Sequence, residues 1–162
     1  MTKVTEKQIE ELLDKEAIRE LMHTWFYLVD EGKAVEALDR FTTDDVTFDG
    51  GSLGKADSKE EWREMTKLMF KEELLFTRHM VSNDIINVDG DKASGKWYLN
   101  CPTVNGNDEA VWINGTYDIK FRRLNGEWKV SSFTFDPSYV SPYEKGWAEQ
   151  PFPEGMPGEP EW

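Results

Sequence analysis

Residues 6–31 most constrain the fold, because Ile9, Leu12, Leu13, Ala17, Leu21, Trp25, Leu28 and Val29 recur at three- and four-residue steps. That is the period of a helix burying one face. Thr5 followed by Gln8 has the form of a capping box at its start. Gly32 can take the left-handed backbone that stops it. The spacing also sets Arg19, His23, Phe26 and Asp30 on a face beside the apolar stripe. Asp30 therefore comes to the border of the core at a helix C-terminus, where a negative charge opposes the helix dipole and is odd as a stabilising device.

The chain then changes texture. A short helix is expected over Ala34–Phe41, with Val35, Leu38 and Phe41 as its apolar face, and a strand over Val46–Asp49. Ser58 caps a third helix running to about Glu73 and burying Trp62, Met65, Leu68 and Met69. From residue 76 onward, strands are expected at 76–88, 92–103, 109–123 and 127–136. They are separated by the turn signals Asp89-Gly90-Asp91, Asn105-Gly106-Asn107 and Asn125-Gly126. Helices first and a meander of strands after them predict an α+β domain with three helices packed on one face of a curved antiparallel sheet. Every proline but Pro102 lies in residues 137–162. Residues 1–137 therefore read as the domain, and 138–162 as an extended arm lying over it or over a neighbouring subunit, with Tyr139, Tyr143, Trp147 and Phe152 as its rings.

Composition excludes several function classes. A net charge of −13 opposes binding to nucleic acid or anionic membranes, since phosphate neutralisation needs clustered Lys and Arg. No run approaches the roughly 20 apolar residues of a membrane span, and the first residues lack a signal-peptide core. With Cys101 the single cysteine, no internal disulfide can form, which points to a reducing, cytoplasmic setting. Gly-rich phosphate loops, cysteine pairs and His-x-x-x-His spacings are absent from the sequence.

Three motifs resemble the SnoaL-like group of the nuclear transport factor 2-like superfamily. They are Asp14-Lys15-Glu16-Ala17-Ile18-Arg19-Glu20-Leu21 leading to Val29-Asp30-Glu31-Gly32-Lys33, then Arg78-His79-Met80-Val81-Ser82-Asn83, then Ala93-Ser94-Gly95-Lys96-Trp97-Tyr98-Leu99 with Gly126-Glu127-Trp128-Lys129-Val130. The resemblance implies a cone-shaped α+β barrel of the cystatin-like kind. Its nearest echoes are bile acid 7α-dehydratase, scytalone dehydratase and hexachlorocyclohexane dehydrochlorinase, lyases that need no cofactor and use a His–Asp dyad. Asp30 and His79 fall at the two places of that dyad. Trp25 stands where those relatives carry a Tyr or a Lys, and Phe133 where the dehydrochlorinase carries an Arg, so loss of chloride is disfavoured and loss of water retained. The resemblance also implies a homo-oligomer, dimer or trimer, formed through outer-sheet rings such as Trp112 or Trp128.

The chemistry stands beside the resemblance. Histidine moves protons near neutral pH, and an acid on one ring nitrogen fixes its tautomer and frees the other nitrogen as base. Such a pair can eliminate water from a hydroxylated steroid-like or polycyclic ketone without a metal or redox cofactor. A histidine on a strand is also a common structural residue, and His23 reads equally as helix-edge packing. Trp25, Trp97, Trp112, Phe133 and Tyr139 are candidate walls for a flat apolar ligand or plain core. Tyr117 and Phe135 share that ambiguity, and Cys101 reads as a small buried hydrophobe. Tyr27, Tyr98, Asn100 and Asn114 are candidate donors to a developing enolate, subject to strand phase. Two other functions remain open: double-bond isomerisation or polyketide cyclisation, with Asp30 as the base in the isomerase case, and a non-catalytic binding or assembly cone.

Overall fold

In a computed structural model the described residues are 4–156. Two helices come first in the chain, α1 (Glu6–Asp30) and α2 (Ala34–Phe41), and a third, α3 (Lys59–Leu68), follows the first two strands. The strands are β1 (Thr42–Asp49), β2 (Lys55–Ala56), β3 (Leu74–Thr77), β4 (Met80–Asp89), β5 (Lys92–Asn105), β6 (Ala110–Leu124) and β7 (Glu127–Pro142). They form one curved, unclosed sheet in the order β2-β1-β7-β6-β5-β3, with β4 also beside β5.

The sheet is mixed, where an antiparallel one is expected. β1 lies parallel to β7, with Thr47 opposite Ser132 and Phe48 opposite Phe133, and every other pairing is antiparallel. A parallel pair needs a long connection, and here nearly half of the chain, residues 50–126, runs between the two strands.

Local chemistry explains the ends of α1. The Thr5–Gln8 capping box closes on both sides. At the other end Lys33 N–H reaches Leu28 O at 2.8 Å and Gly32 N–H reaches Val29 O at 3.0 Å. Gly32 sits at φ +75°, completing a Schellman motif that presents Asp30 in the last helical turn. Two ties hold the helix to the sheet. Asp14 accepts from Arg123 (2.7 Å) and from the Trp128 indole (3.1 Å), and Arg19 bonds Asp84 at 2.8 Å.

Parts of the expected apolar pattern face outward instead. Ile9, Leu12 and Leu13 are exposed, because a 25-residue helix is about 37 Å long and its first turns overhang the core, which begins at Ile18. Leu68 is also exposed. The helix ends at that residue and widens into a π-helical turn over Met69–Glu73, which swings Met69 and Phe70 toward the interior. Trp128, expected on the outer face, is buried inward.

Strand β7 runs to Pro142, past the expected end at 136, and the chain then folds back so that Val140 N–H reaches Pro151 O at 2.9 Å. Residues 157–162 of the proposed arm lie outside the described residues.

Candidate functional site

Inside the cone lies an apolar cavity of about 130 Å³. Its rings form one continuous cluster, in which Tyr117 meets Phe133 edge-on. Trp25 lies 5.6 Å from Trp62 and 5.8 Å from Phe133, and Tyr117 lies 5.0 Å from Phe133 and 5.2 Å from Phe26. Phe26 in turn stacks on the His79 imidazole at 5.0 Å. Half-buried Phe48, Leu53, Phe70 and Leu74 line the less enclosed side.

His79 lies in the gap between β3 and β4. Thr77 pairs with Thr103 and Met80 with Asn100. That register carries across the gap and sets His79 opposite Cys101. The neighbouring Arg78 N–H still bonds Pro102 O at 3.1 Å. The His79 N–H, one residue on, points away from β5 toward the open edge of the sheet, where an unpaired donor needs a partner. Asp30 supplies it. Its carboxylate accepts from His79 N at 3.0 and 3.2 Å, from the ring Nδ1 at 2.7 Å, and from Thr77 Oγ1 at 3.0 Å.

These donors offset the unfavourable position of Asp30 at its helix end. Both side chains are largely enclosed, Asp30 at 6% and His79 at 12% exposure. Burial alone would raise the Asp30 pKa. The hydrogen bonds from His79 and Thr77 and the charge of His79 outweigh burial and hold it below the usual carboxylate value. Burial likewise opposes charge on His79. The hydrogen bond to Asp30, the nearby Cys101 and the Asp30 charge outweigh it and push the ring up to about 9. Because Asp30 is ionised, Nδ1 donates to it and Nε2 is the free nitrogen.

Of the ten residues expected at the site, the structure brings four together: His79 at the cavity wall with Asp30 bonded behind it, and Trp25 and Phe133 among its rings. It does not bring in the other six. Tyr27 is 68% exposed on the outer side of α1. Trp97 is buried, but against Phe121 at 6.1 Å. Asn100 and Asn114 face each other on the far side of the sheet, where Asn114 Nδ2 donates to Leu99 O at 2.7 Å. Trp112 packs on Tyr143, and Tyr139 stacks on Trp147. Strand phase explains the sheet residues: Leu99, Cys101, Ile113 and Tyr117 point into the cavity, so Asn100, Trp112 and Asn114 cannot. Tyr98 is on the outer phase too. His23 is exposed.

Sequence reasoning left three inward polar groups in the background. Thr77 braces Asp30. Cys101 lies across from His79. Tyr117 is buried, lines the cavity and makes no hydrogen bond among the described residues. Burial, with the nearby Cys101 and Asp30, keeps Tyr117 protonated by raising its pKa well above the ordinary value. The signal for Cys101 and Tyr117 was in the alternation itself. Trp97, Leu99 and Cys101 interleave with Lys96, Tyr98 and Asn100, and Ile113, Tyr117 and Ile119 interleave with Asn114, Asp118 and Lys120.

Among the described residues no group of three or more His, Cys, Asp and Glu is placed to hold a metal. No helix there is long and apolar enough to cross a membrane.

Residues 10–134 match the sequence profile of a SnoaL-like domain. Among solved structures, the chain is similar to a candidate aromatic ring hydroxylase from Novosphingobium aromaticivorans. The two share 28% identity over 78% of this chain and 90% of that one, with a TM-score of 0.71. A type 2 hexachlorocyclohexane dehydrochlorinase shares 21% identity over 81% and 89%, TM-score 0.74. A candidate scytalone dehydratase from Novosphingobium aromaticivorans shares 16% over 91% and 97%, TM-score 0.74. The last two likenesses show a shared fold.

Proposed function

The chain belongs to the SnoaL-like domain family, and we propose that it is a lyase that eliminates water from a hydroxylated ring ketone by His–Asp proton transfer. The observation that carries this reading is the Asp30–Nδ1 hydrogen bond of 2.7 Å at the wall of an apolar cavity. It leaves Nε2 of His79 as the group able to take a proton beside a carbonyl and return it to the departing hydroxyl. The names of two structural neighbours, a dehydrochlorinase and a candidate scytalone dehydratase, are in keeping with elimination chemistry.

The remaining roles follow from the cavity's polar inventory. Tyr117 is the donor that steadies the enolate oxygen, because it lines the cavity with a hydroxyl that is protonated and unpartnered among the described residues. Trp25, Phe26 and Phe133 hold a flat ring by stacking. Among the described residues no Lys or Arg lines the cavity, so the substrate portion inside it is uncharged. At about 130 Å³ the cavity takes a compact ring ketone, and the rest of a steroid-like polycycle would lie between Leu53, Phe70 and Leu74.

Isomerisation with Asp30 as base is less favoured. Both Asp30 oxygens already accept hydrogen bonds, and Asp30 sits behind His79, away from the lining. Self-association into a dimer or trimer belongs to the same reading, since Ile9, Leu12 and Leu13 on α1 and Tyr98 and Met80 on the sheet leave apolar surface uncovered. A monomeric mass in solution would remove it.

The direct test is to incubate hydroxy-3-keto steroids and bicyclic β-hydroxy ketones with the protein and follow the absorbance of the new conjugated double bond. Turnover lost in both Asp30→Asn and His79→Ala supports the dyad. Turnover unaffected by either change rules it out. Ligand binding that survives His79→Ala, without turnover of any compound, supports a binding cone.

A further inference from the structure

We propose that Cys101 is a nucleophile of this cavity and that, with His79 and Asp30, it captures α,β-unsaturated ketones by conjugate addition. Cys101 is the chain's single cysteine. It is buried at 2% exposure, yet it is not enclosed among hydrocarbon alone. The strand register sets it opposite His79, and both side chains line the same cavity. The thiol is near enough to the His79 ring to favour its charged form, and Sγ lies 3.5 Å from Thr103 Oγ1 and 3.9 Å from Pro102 O. Asp30 holds Nδ1 at 2.7 Å, so the ring's remaining nitrogen is the one free to exchange a proton with sulfur. The three residues have the connectivity of a nucleophile, a base and an orienting acid. A second polar side chain, Tyr117, is buried, has no hydrogen bond among the described residues and lines the same space, where a carbonyl oxygen could accept from its hydroxyl.

The step balances without an oxidant or reductant. Sulfur forms a bond to the β-carbon as its proton passes to His79 Nε2. The carbon–carbon π pair shifts to give an enolate, whose oxygen accepts from Tyr117. The proton on Nε2 then passes to the α-carbon. The net change is addition of S–H across the double bond. An enone is also the product class of the proposed dehydration, so the inference rests on that reading for the origin of the electrophile, and on the geometry alone for its capture.

Intact-mass spectrometry of the whole chain with excess cyclohexenone tests it. One adduct per chain is expected on the wild type and none on Cys101→Ser. Labelling of His79→Gln should be at least about a hundredfold slower, the scale of a lost general base. Should either variant fail to fold, protection of the wild type gives an independent readout: α-tetralone, a ring ketone without an electrophilic double bond, should slow the labelling. An unmodified wild type, an adduct retained in Cys101→Ser, equal rates in His79→Gln, or no protection would each overturn the proposal. Turnover of β-hydroxy ketones without capture sinks this inference alone. Capture without turnover leaves it standing and counts against the dehydratase reading.

Discussion

Asp30 takes hold of His79 twice, through the backbone N–H at 3.0 Å and through ring Nδ1 at 2.7 Å. One carboxylate thereby bonds the open edge of the sheet and the imidazole, so an edge-pairing requirement and the orienting role proposed for the dyad fall on the same residue.

The first consequence is a pH–rate profile displaced from that of an ordinary histidine. As a base, His79 must be neutral, and its pKa is pushed up to about 9. kcat/KM should therefore climb about tenfold per pH unit toward a limb near 9. Asp30→Asn removes the carboxylate that holds the proton. The limb should then move toward lower pH, and kcat should drop by about a hundred- to ten-thousandfold. A profile flat between pH 6 and 9 would mean that the protonated ring is the active form.

The same pair couples stability to pH. A folded-state pKa of about 9 lies above the ordinary value of 6.5. The stabilisation is therefore present in full below pH 6.5 and is lost as pH rises through about 9. The difference corresponds to about 3 kcal/mol. Thermal melts from pH 6 to 10 should show the wild type losing stability relative to His79→Gln over that window, and parallel curves would refute the coupling.

Tyr117→Phe separates chemistry from packing. The ring stays among Phe26, Phe133 and Phe135 and only an unpartnered hydroxyl is removed, so the melting temperature should hold or rise. Loss of an oxyanion donor should lower kcat by about a hundredfold or more with little change in KM. Unchanged kcat would remove Tyr117 from the mechanism.

Gly115→Ala tests how β6 meets β7 behind the cavity. An added Cβ would stand 2.3 Å from the Asp136 carbonyl oxygen and 2.6 Å from the Phe135 ring. The strands would have to part where their register already shifts, between Asn114 and Gly115. A stability loss of about 1–3 kcal/mol is expected in urea unfolding, with a weakened cavity wall. A wild-type midpoint would show that the strand absorbs the methyl group.

Much of this architecture was legible in the chain. The capping box at Thr5–Gln8 and the left-handed stop at Gly32 fixed α1 within a residue of its observed ends, because those signals are local hydrogen bonds and backbone angles. The Asn125-Gly126 turn, with both residues at positive φ, bounded the last hairpin for the same reason. Which side of each strand faces inward was harder to read. In β7 the register shift leaves Ser131 as an extra residue, so that Val130 and Phe133 both point into the core, and a strict alternation fails there. The start of the helical pattern also misled: Ile9, Leu12 and Leu13 have helical spacing, but among the described residues they stay exposed.

The sequence by itself determined the helix ends, the hairpins and the candidacy of Asp30 and His79, since each depends on neighbours in the chain or on residue chemistry. Only the tertiary structure decided that these two side chains meet across 49 residues, that Tyr117 and Cys101 share their cavity, and that Tyr27, Asn100 and Asn114 face away from it. Those outcomes depend on strand register and on the curvature of the sheet, which arise from packing between segments distant in sequence.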